Sequence, residues 1–254
     1  YSNTPKQLLV YEALGAEPPL FAHLPLLHGP DGKKLSKRHG AASVQELRDA
    51  GFLPEAIRNY IALLGWGSAD DETILSTEQL IAQFDVTKVQ KNPAQFDEKK
   101  LRWINGQYMR AMSAVELTAR VQAFTGRTGL LEGVTISQEK IATLADFWPL
   151  AGFLYDGACD DPAAREKWLD EERHALLADS RSVLAALDPF TAEAIDAALR
   201  GHVESSGAKP KDIFQPLRVA ISGTTISPGV FESLAVLGKD ESLARIDAAL
   251  VSGV

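Results

Sequence analysis

Cysteine occurs once in the 254 residues, at Cys159. A lone thiol excludes an internal disulfide and a thiolate zinc cluster, and such sparse use fits a reducing, cytoplasmic setting. No run of about 18 apolar residues is present, so no membrane-spanning helix is expected. The first residues, Tyr1-Ser2-Asn3-Thr4-Pro5, lack the charged-then-apolar pattern of a secretion signal. The histidines are few, and none is spaced to form a metal pair with His202, so no metal site is expected within the chain. Internal repeats, low-complexity tracts and long linkers are also missing.

What the chain has is the composition of a globular protein. Hydrophobic residues make up 45% and charged residues 24%, enough for a real core. The formal net charge of −8 argues against a nucleic-acid binder that is basic throughout, because phosphate contacts need local positive charge. The charge is unevenly spread, however. Val86 to Arg110 holds six basic residues (Lys88, Lys91, Lys99, Lys100, Arg102, Arg110) against Asp97 and Glu98. Asp156 to Arg200 holds eleven acidic and five basic residues. This asymmetry allows one face to hold RNA while another stays solvated.

The densest positive charge lies in Gly32-Lys33-Lys34-Leu35-Ser36-Lys37-Arg38-His39-Gly40, entered from the turn-forming Pro30-Asp31. Two lysines three residues apart on a glycine-flanked loop suit closure over a polyphosphate. There they would face the charge that builds up in phosphoryl or nucleotidyl transfer.

Around this loop the pattern is helical. Thr4-Pro5 opens a helix that Gly15 stops, and Leu24-Pro25-Leu26-Leu27 reads as an edge strand entering the loop. Capping boxes stand at Ser43–Glu46, Ser76–Gln79 and Ser113–Glu116. Asp97 and Thr191 are N-cap candidates, and Pro54 suits a first helical turn. Arg127 to Thr135 reads as loop, with Ser137 capping a helix through Ile141, Leu144 and Phe147-Trp148. Pro162 starts a helix continuing toward Leu176-Leu177, and Ser182 to Leu187 reads as a separate apolar turn. Ser227-Pro228-Gly229 opens a further helix. Trp103, beside Leu101 and Ile104, is assigned to the core. The expected fold is mainly α, with a first segment at 1–40, a helical domain at 41–112, and a helical region at 113–254 that divides near 160.

Lys34-Leu35-Ser36-Lys37-Arg38 resembles the second ATP signature of class I aminoacyl-tRNA synthetases, in the form carried by glutamyl-tRNA synthetases. Tyr1 to Gln7, Gly51 to Ala56, Asn59 to Trp66, Phe96 to Gly106, Gln215 to Arg218, Pro228 to Phe231 and Leu237 to Lys239 are similar to further landmarks of that family. The resemblance implies a remnant of a Rossmann-type catalytic domain, then a stem-contact domain, then an anticodon-binding region. It implies ATP as a substrate accompanied by Mg2+, with Lys37 and Lys34 bearing on the triphosphate and Ser36 and Arg38 completing the loop. It further implies glutamate and its tRNA as partners, in a monomer. Lys88, Lys91, Lys99, Arg102, Lys140 and Arg218 are the candidate tRNA contacts. Some glutamyl enzymes of the family have an anticodon-reading arginine near the position of Lys140, and an ammonium lacks the planar fork that grips a base edge.

The family's first ATP motif and its glutamate-binding groups are not found in these residues. The 254-residue chain alone is therefore expected to bind tRNA without activating glutamate. The alternative is a non-catalytic helical module that binds tRNA or protein, which the intact loop disfavours. A glutaminyl-tRNA synthetase is a nearer rival, but its distal region would be built from β-barrels.

Overall fold

A computed structural model describes residues 2–29, 31–35, 43–67 and 72–251. Among them are fifteen α-helices and two strands of two residues each, so the fold is mainly α. The chain divides into two compact units. One comprises Tyr1–Asp49 with Pro54–Ile104, and the other Ala50–Leu53 with Asn105–Val254.

The first unit opens with α1 (Thr4–Leu14), stopped by Gly15 in the left-handed region (φ 61°). β1 (Leu27–His28) pairs in parallel with β2 (Ala94–Gln95). Pairing begins later than the apolar run at Leu24 suggests, because Pro25 has no amide to give to a ladder. α2 (Val44–Asp49) starts at the Ser43–Glu46 box: the Ser43 amide donates to the Glu46 carboxylate at 2.9 Å, and the Glu46 amide to Ser43 Oγ at 3.2 Å. α3 (Pro54–Leu63) and α4 (Thr77–Gln83) pack together, and α4 carries the complete Ser76–Gln79 box. Buried Asn59 clamps the approach to α4. Its Nδ2 donates to Thr73 O at 2.8 Å and its Oδ1 accepts the Leu75 amide at 2.6 Å.

The division between units falls inside α5 (Glu98–Ala111). Asp97 caps this helix, its Oδ1 accepting the Lys100 amide at 3.1 Å. Leu101, Ile104, Asn105 and Met109 are buried, at the spacing of one helical stripe. Trp103 lies well off that stripe. The expectation that it belongs to the core is overturned, since it is 49% exposed. Adjacency along the chain does not place a helical residue on its neighbours' face.

The second unit has helices and no strand among its described residues. α6 (Ala114–Thr125) bears the Ser113–Glu116 box and ends at Gly126 (φ 71°). α7 (Leu131–Ser137) occupies most of the stretch expected to be loop, and Ser137 is its last residue instead of the cap of a later helix. The Ser137 hydroxyl donates back to Gly133 O at 2.6 Å. A short 3-10 turn then leads into α8 (Phe147–Ala151) and α9 (Phe153–Asp156). The helix expected to run from Pro162 toward Leu176-Leu177 is two helices, α10 (Pro162–Trp168) and α11 (Glu171–Ala185). The break is at Asp170, whose side chain caps α11 by accepting the Arg173 amide at 3.0 Å. The supposed turn from Ser182 is the last part of α11.

α12 (Ala192–Ser206) is capped by Thr191. α13 (Pro210–Ser222) packs against α10, α11, α12, α14 (Val230–Leu237) and α15 (Lys239–Val251). Ile213, Leu217 and Ile221 on α13 join Leu177, Leu184, Ile195, Leu199, Leu234 and Ile246 in one core. α14 begins two residues later than a Ser227 cap would place it, with Gly229 at its N-cap.

Asn105 is fully buried. It accepts the Leu53 amide at 2.7 Å and donates to Ala142 O at 2.6 Å. Asn105→Ala leaves both groups unsatisfied and is expected to cost roughly 3 kcal/mol, read as a lower urea midpoint at unchanged m. Paired hydrogen bonds from Arg181 hold the Asp247 carboxyl below its ordinary range. This contribution is present above the unfolded carboxylate pKa and lost as pH falls through the lower folded value. The stability difference between the protein and Asp247→Asn should therefore be present at neutral pH and vanish in acid, as followed by thermal melts across pH.

Candidate nucleotide-loop and RNA-binding surfaces

The stem of the basic loop is a small hairpin added to β1. The Leu35 amide donates to Leu27 O at 2.8 Å, the Gly29 amide to Lys33 O at 2.8 Å, and Lys34 bridges His28. Between the two sides, the Gly32 amide donates to Gly29 O at 3.0 Å, with Gly32 at φ 71°, where a side chain would be strained. Asp31 Oδ1 accepts the Lys33 amide at 3.0 Å and tightens the turn. Lys33 and Lys34 are exposed, and neither is ion-paired among the described residues. Two uncommitted ammonium groups on a braced hairpin suit a polyanion. Ser36, Lys37 and Arg38 lie outside the described residues.

β1 is joined on its other side to β2, and the Phe96 amide donates to His28 O at 2.8 Å. Two residues on, α5 begins, and its first turns present Lys99, Lys100 and Arg102. Lys99 and Lys100 are exposed and Arg102 is half-buried. These residues, with Gln95 to Glu98, line a cleft of about 740 Å³. Exposed Trp103 sits next on the same helix. It is the residue that reasoning from the sequence misassigned, and its position off the apolar stripe was the available signal. Lys91 is exposed, and Lys88 is exposed with a long contact to Asp85 at 3.9 Å.

The remaining two candidates meet in the second unit. Lys140 Nζ donates to Ser227 O at 3.0 Å. Arg218 Nη1 donates to the same oxygen at 3.3 Å, to Pro228 O at 2.8 Å and to Ser227 Oγ. Burial lowers the Lys140 pKa, the charge of Arg218 lowers it further, and Glu232 offsets part of this. Burial likewise pushes the Arg218 guanidinium down, with Glu232 opposing. Both cations thus order the segment that enters α14. Arg218 also lines a cleft of about 540 Å³ with Glu193, Asp196, Arg200, Phe214 and Phe231. No group of three or more His, Cys, Asp or Glu side chains that could hold a metal occurs among the described residues.

A family model described as the anticodon binding domain matches residues 110–250, and one described as the class I (E and Q) tRNA synthetase catalytic domain matches residues 1–103. A glutamate--tRNA ligase from Moorella thermoacetica is 41% identical over 98% of this chain and 54% of its own length. Glutamate--tRNA ligase 2 of Caldicellulosiruptor saccharolyticus is 39% identical over 97% of the chain and 53% of its own length. The chain therefore spans about half the length of the curated relatives it matches. The crystal structure of a glutamate tRNA ligase from Elizabethkingia meningosepticum, in complex with its amino acid, superposes with a TM-score of 0.79 at 30% identity, covering 99% of this chain and 56% of that one. From α6 on, the described residues form ten α-helices and no strand, unlike the β-barrel alternative.

Replacing Arg218 by Met keeps the stem and removes the fork from Ser227 O and Pro228 O. Loss of a charge-assisted set of this kind is expected to cost about 2 kcal/mol, and Arg218→Lys should recover only part of it. Denaturant unfolding of the two variants measures both.

Proposed function

The chain belongs to the glutamate--tRNA ligase family of class I tRNA synthetases, and from that premise we propose that it supplies the ATP loop and the tRNA-recognition surface of such a ligase. The observation that carries this reading is the shared role of β2. The segment that braces the lysine hairpin runs directly into the basic start of α5. A nucleotide-facing loop and an RNA-facing helix are thereby built on one piece of backbone.

In this proposal Lys34 and Lys37 face the triphosphate of ATP and the pyrophosphate that leaves when the glutamate carboxylate is adenylated. Ser36 and Arg38 shape the loop or bind phosphate oxygens, and Mg2+ arrives with ATP. None of these groups needs to move a proton, so their contribution is position and charge. Residues 1–40 provide the loop and its stem. Residues 41–112 contact the inner side of the tRNA, with Lys88, Lys91, Lys99 and Arg102 on phosphates. Residues 113–254 hold the anticodon. Lys140 and Arg218 act there chiefly by ordering the Ser227–Pro228 backbone, and Arg218 borders the adjoining cleft. The protein works as a cytoplasmic monomer, and no helix among the described residues is long and apolar enough to cross a membrane.

Binding of the chain to glutamate, glutamine and unrelated tRNAs, titrated with salt, tests the proposal. Preference for the glutamate tRNA is expected, weakening as salt rises. Lys99→Ala should weaken binding and reduce the salt slope by about 1, as for one lost phosphate contact. Equal binding to all three tRNAs, with the Lys99→Ala slope unchanged, would refute it.

A further inference from the structure

We propose that Tyr60 is a positioning residue for the lysine hairpin, acting through β2 and β1 on the stem that holds Lys34. This rests on the reading of the hairpin as the base of an ATP loop. Strands of two residues cannot hold themselves in water, since even full isolated hairpins are marginal. The register of β1 must therefore be fixed from outside the ladder.

Tyr60, on α3, is only 2% exposed. Its ring meets Phe96 edge to face, with centroids 5.5 Å apart and planes at 89°. Its hydroxyl oxygen accepts the Asp97 amide at 2.6 Å. The preceding amide, of Phe96, donates to His28 O at 2.8 Å. Successive amides of an extended segment point to opposite sides. The Phe96-Asp97 dipeptide is thus gripped by β1 on one side and by Tyr60 on the other. From His28 the path continues across the hairpin, through the bridge to Lys34 and the Leu35 amide on Leu27 O. A side-chain contact from β2 to the stem, Gln95 Nε2 to Gly29 O, is long at 3.4 Å. Asp97 also starts α5 through Lys100, so Tyr60 fixes the point at which the strand becomes the helix. Burial raises the phenol's pKa.

A purely structural role would loosen the first unit as a whole, whereas a positioning role loosens the stem selectively. The test is hydrogen exchange of the 254-residue chain and of Tyr60→Phe, which keeps the ring and its contact with Phe96. The Leu75 amide, held by Asn59 in the same unit, serves as the reference. Exchange at the Gly29 and Leu35 amides is expected to rise about tenfold in the variant, with Leu75 unchanged. No change at Gly29 and Leu35, or an equal rise at Leu75, overturns the assignment.

If the variant does not fold, exchange of the unaltered chain against denaturant decides. Leu35 and Asp97 opening as one unit supports the link, and separate opening overturns it. Added Mg-ATP separates this proposal from the reading beneath it. Slower Leu35 exchange with Mg-ATP in the unaltered chain supports the ATP loop, and the Tyr60→Phe effect reports the link to the stem whether or not ATP slows it.

Discussion

Helix ends leave backbone donors and acceptors that water or side chains must satisfy, and a fold of many short helices meets this demand repeatedly. At the amino ends the solution here is local. Ser43, Ser76, Ser113, Asp170 and Thr191 each turn a side-chain oxygen onto an amide of their own first turn. Other backbone carbonyls accept from basic side chains, most of them far along the chain. Arg245 Nη1 donates to both Phe153 O and Ile221 O at 2.8 Å, Lys239 reaches Leu187 O at 2.9 Å, and Lys140 and Arg218 converge on Ser227 O. In the second unit these cations are ligands of the protein's own backbone.

That use of charge separates two kinds of basic residue that look alike in the sequence. Lys33, Lys34, Lys99 and Lys100 are exposed, on a hairpin and on the first turns of a helix. Arg218 and Arg245 are directed at carbonyls, and the Arg245 side chain is only 12% exposed. Charge counts cannot tell the two kinds apart. A cation that orders a loop affects recognition through the loop's shape, which salt screens far less than a direct phosphate contact.

Legibility tracked the range of the interaction. The three capping boxes, the Asp97 and Thr191 caps and the glycine stop at Gly15 depend on residues within a few positions, and all were readable. α7 was not. Its N-cap is Leu130, which gives no side-chain cap, and it contains Gly133, which local propensity disfavours. The glycine is there for a distant partner, since a Cβ at Gly133 would lie 2.4 Å from Tyr155 Oη. Of the candidate site, the lysine hairpin was legible because glycines and lysines cluster in one stretch. The engagement of Lys140 by Ser227, 87 positions away, leaves no trace in spacing.

The crossing of Cys159 and Gly223 has a consequence for how this protein can change over time. The Cys159 amide donates to Ser222 O at 2.8 Å, while its side chain is exposed. A Cβ added at Gly223, itself at φ 77°, would fall 1.7 Å from Cys159 O. Main chain meets main chain there, so the contact is indifferent to which side chain stands at 159 and intolerant of any at 223. Drift at these two neighbouring positions should be lopsided, with the lone thiol free to be exchanged and the glycine opposite it held in place.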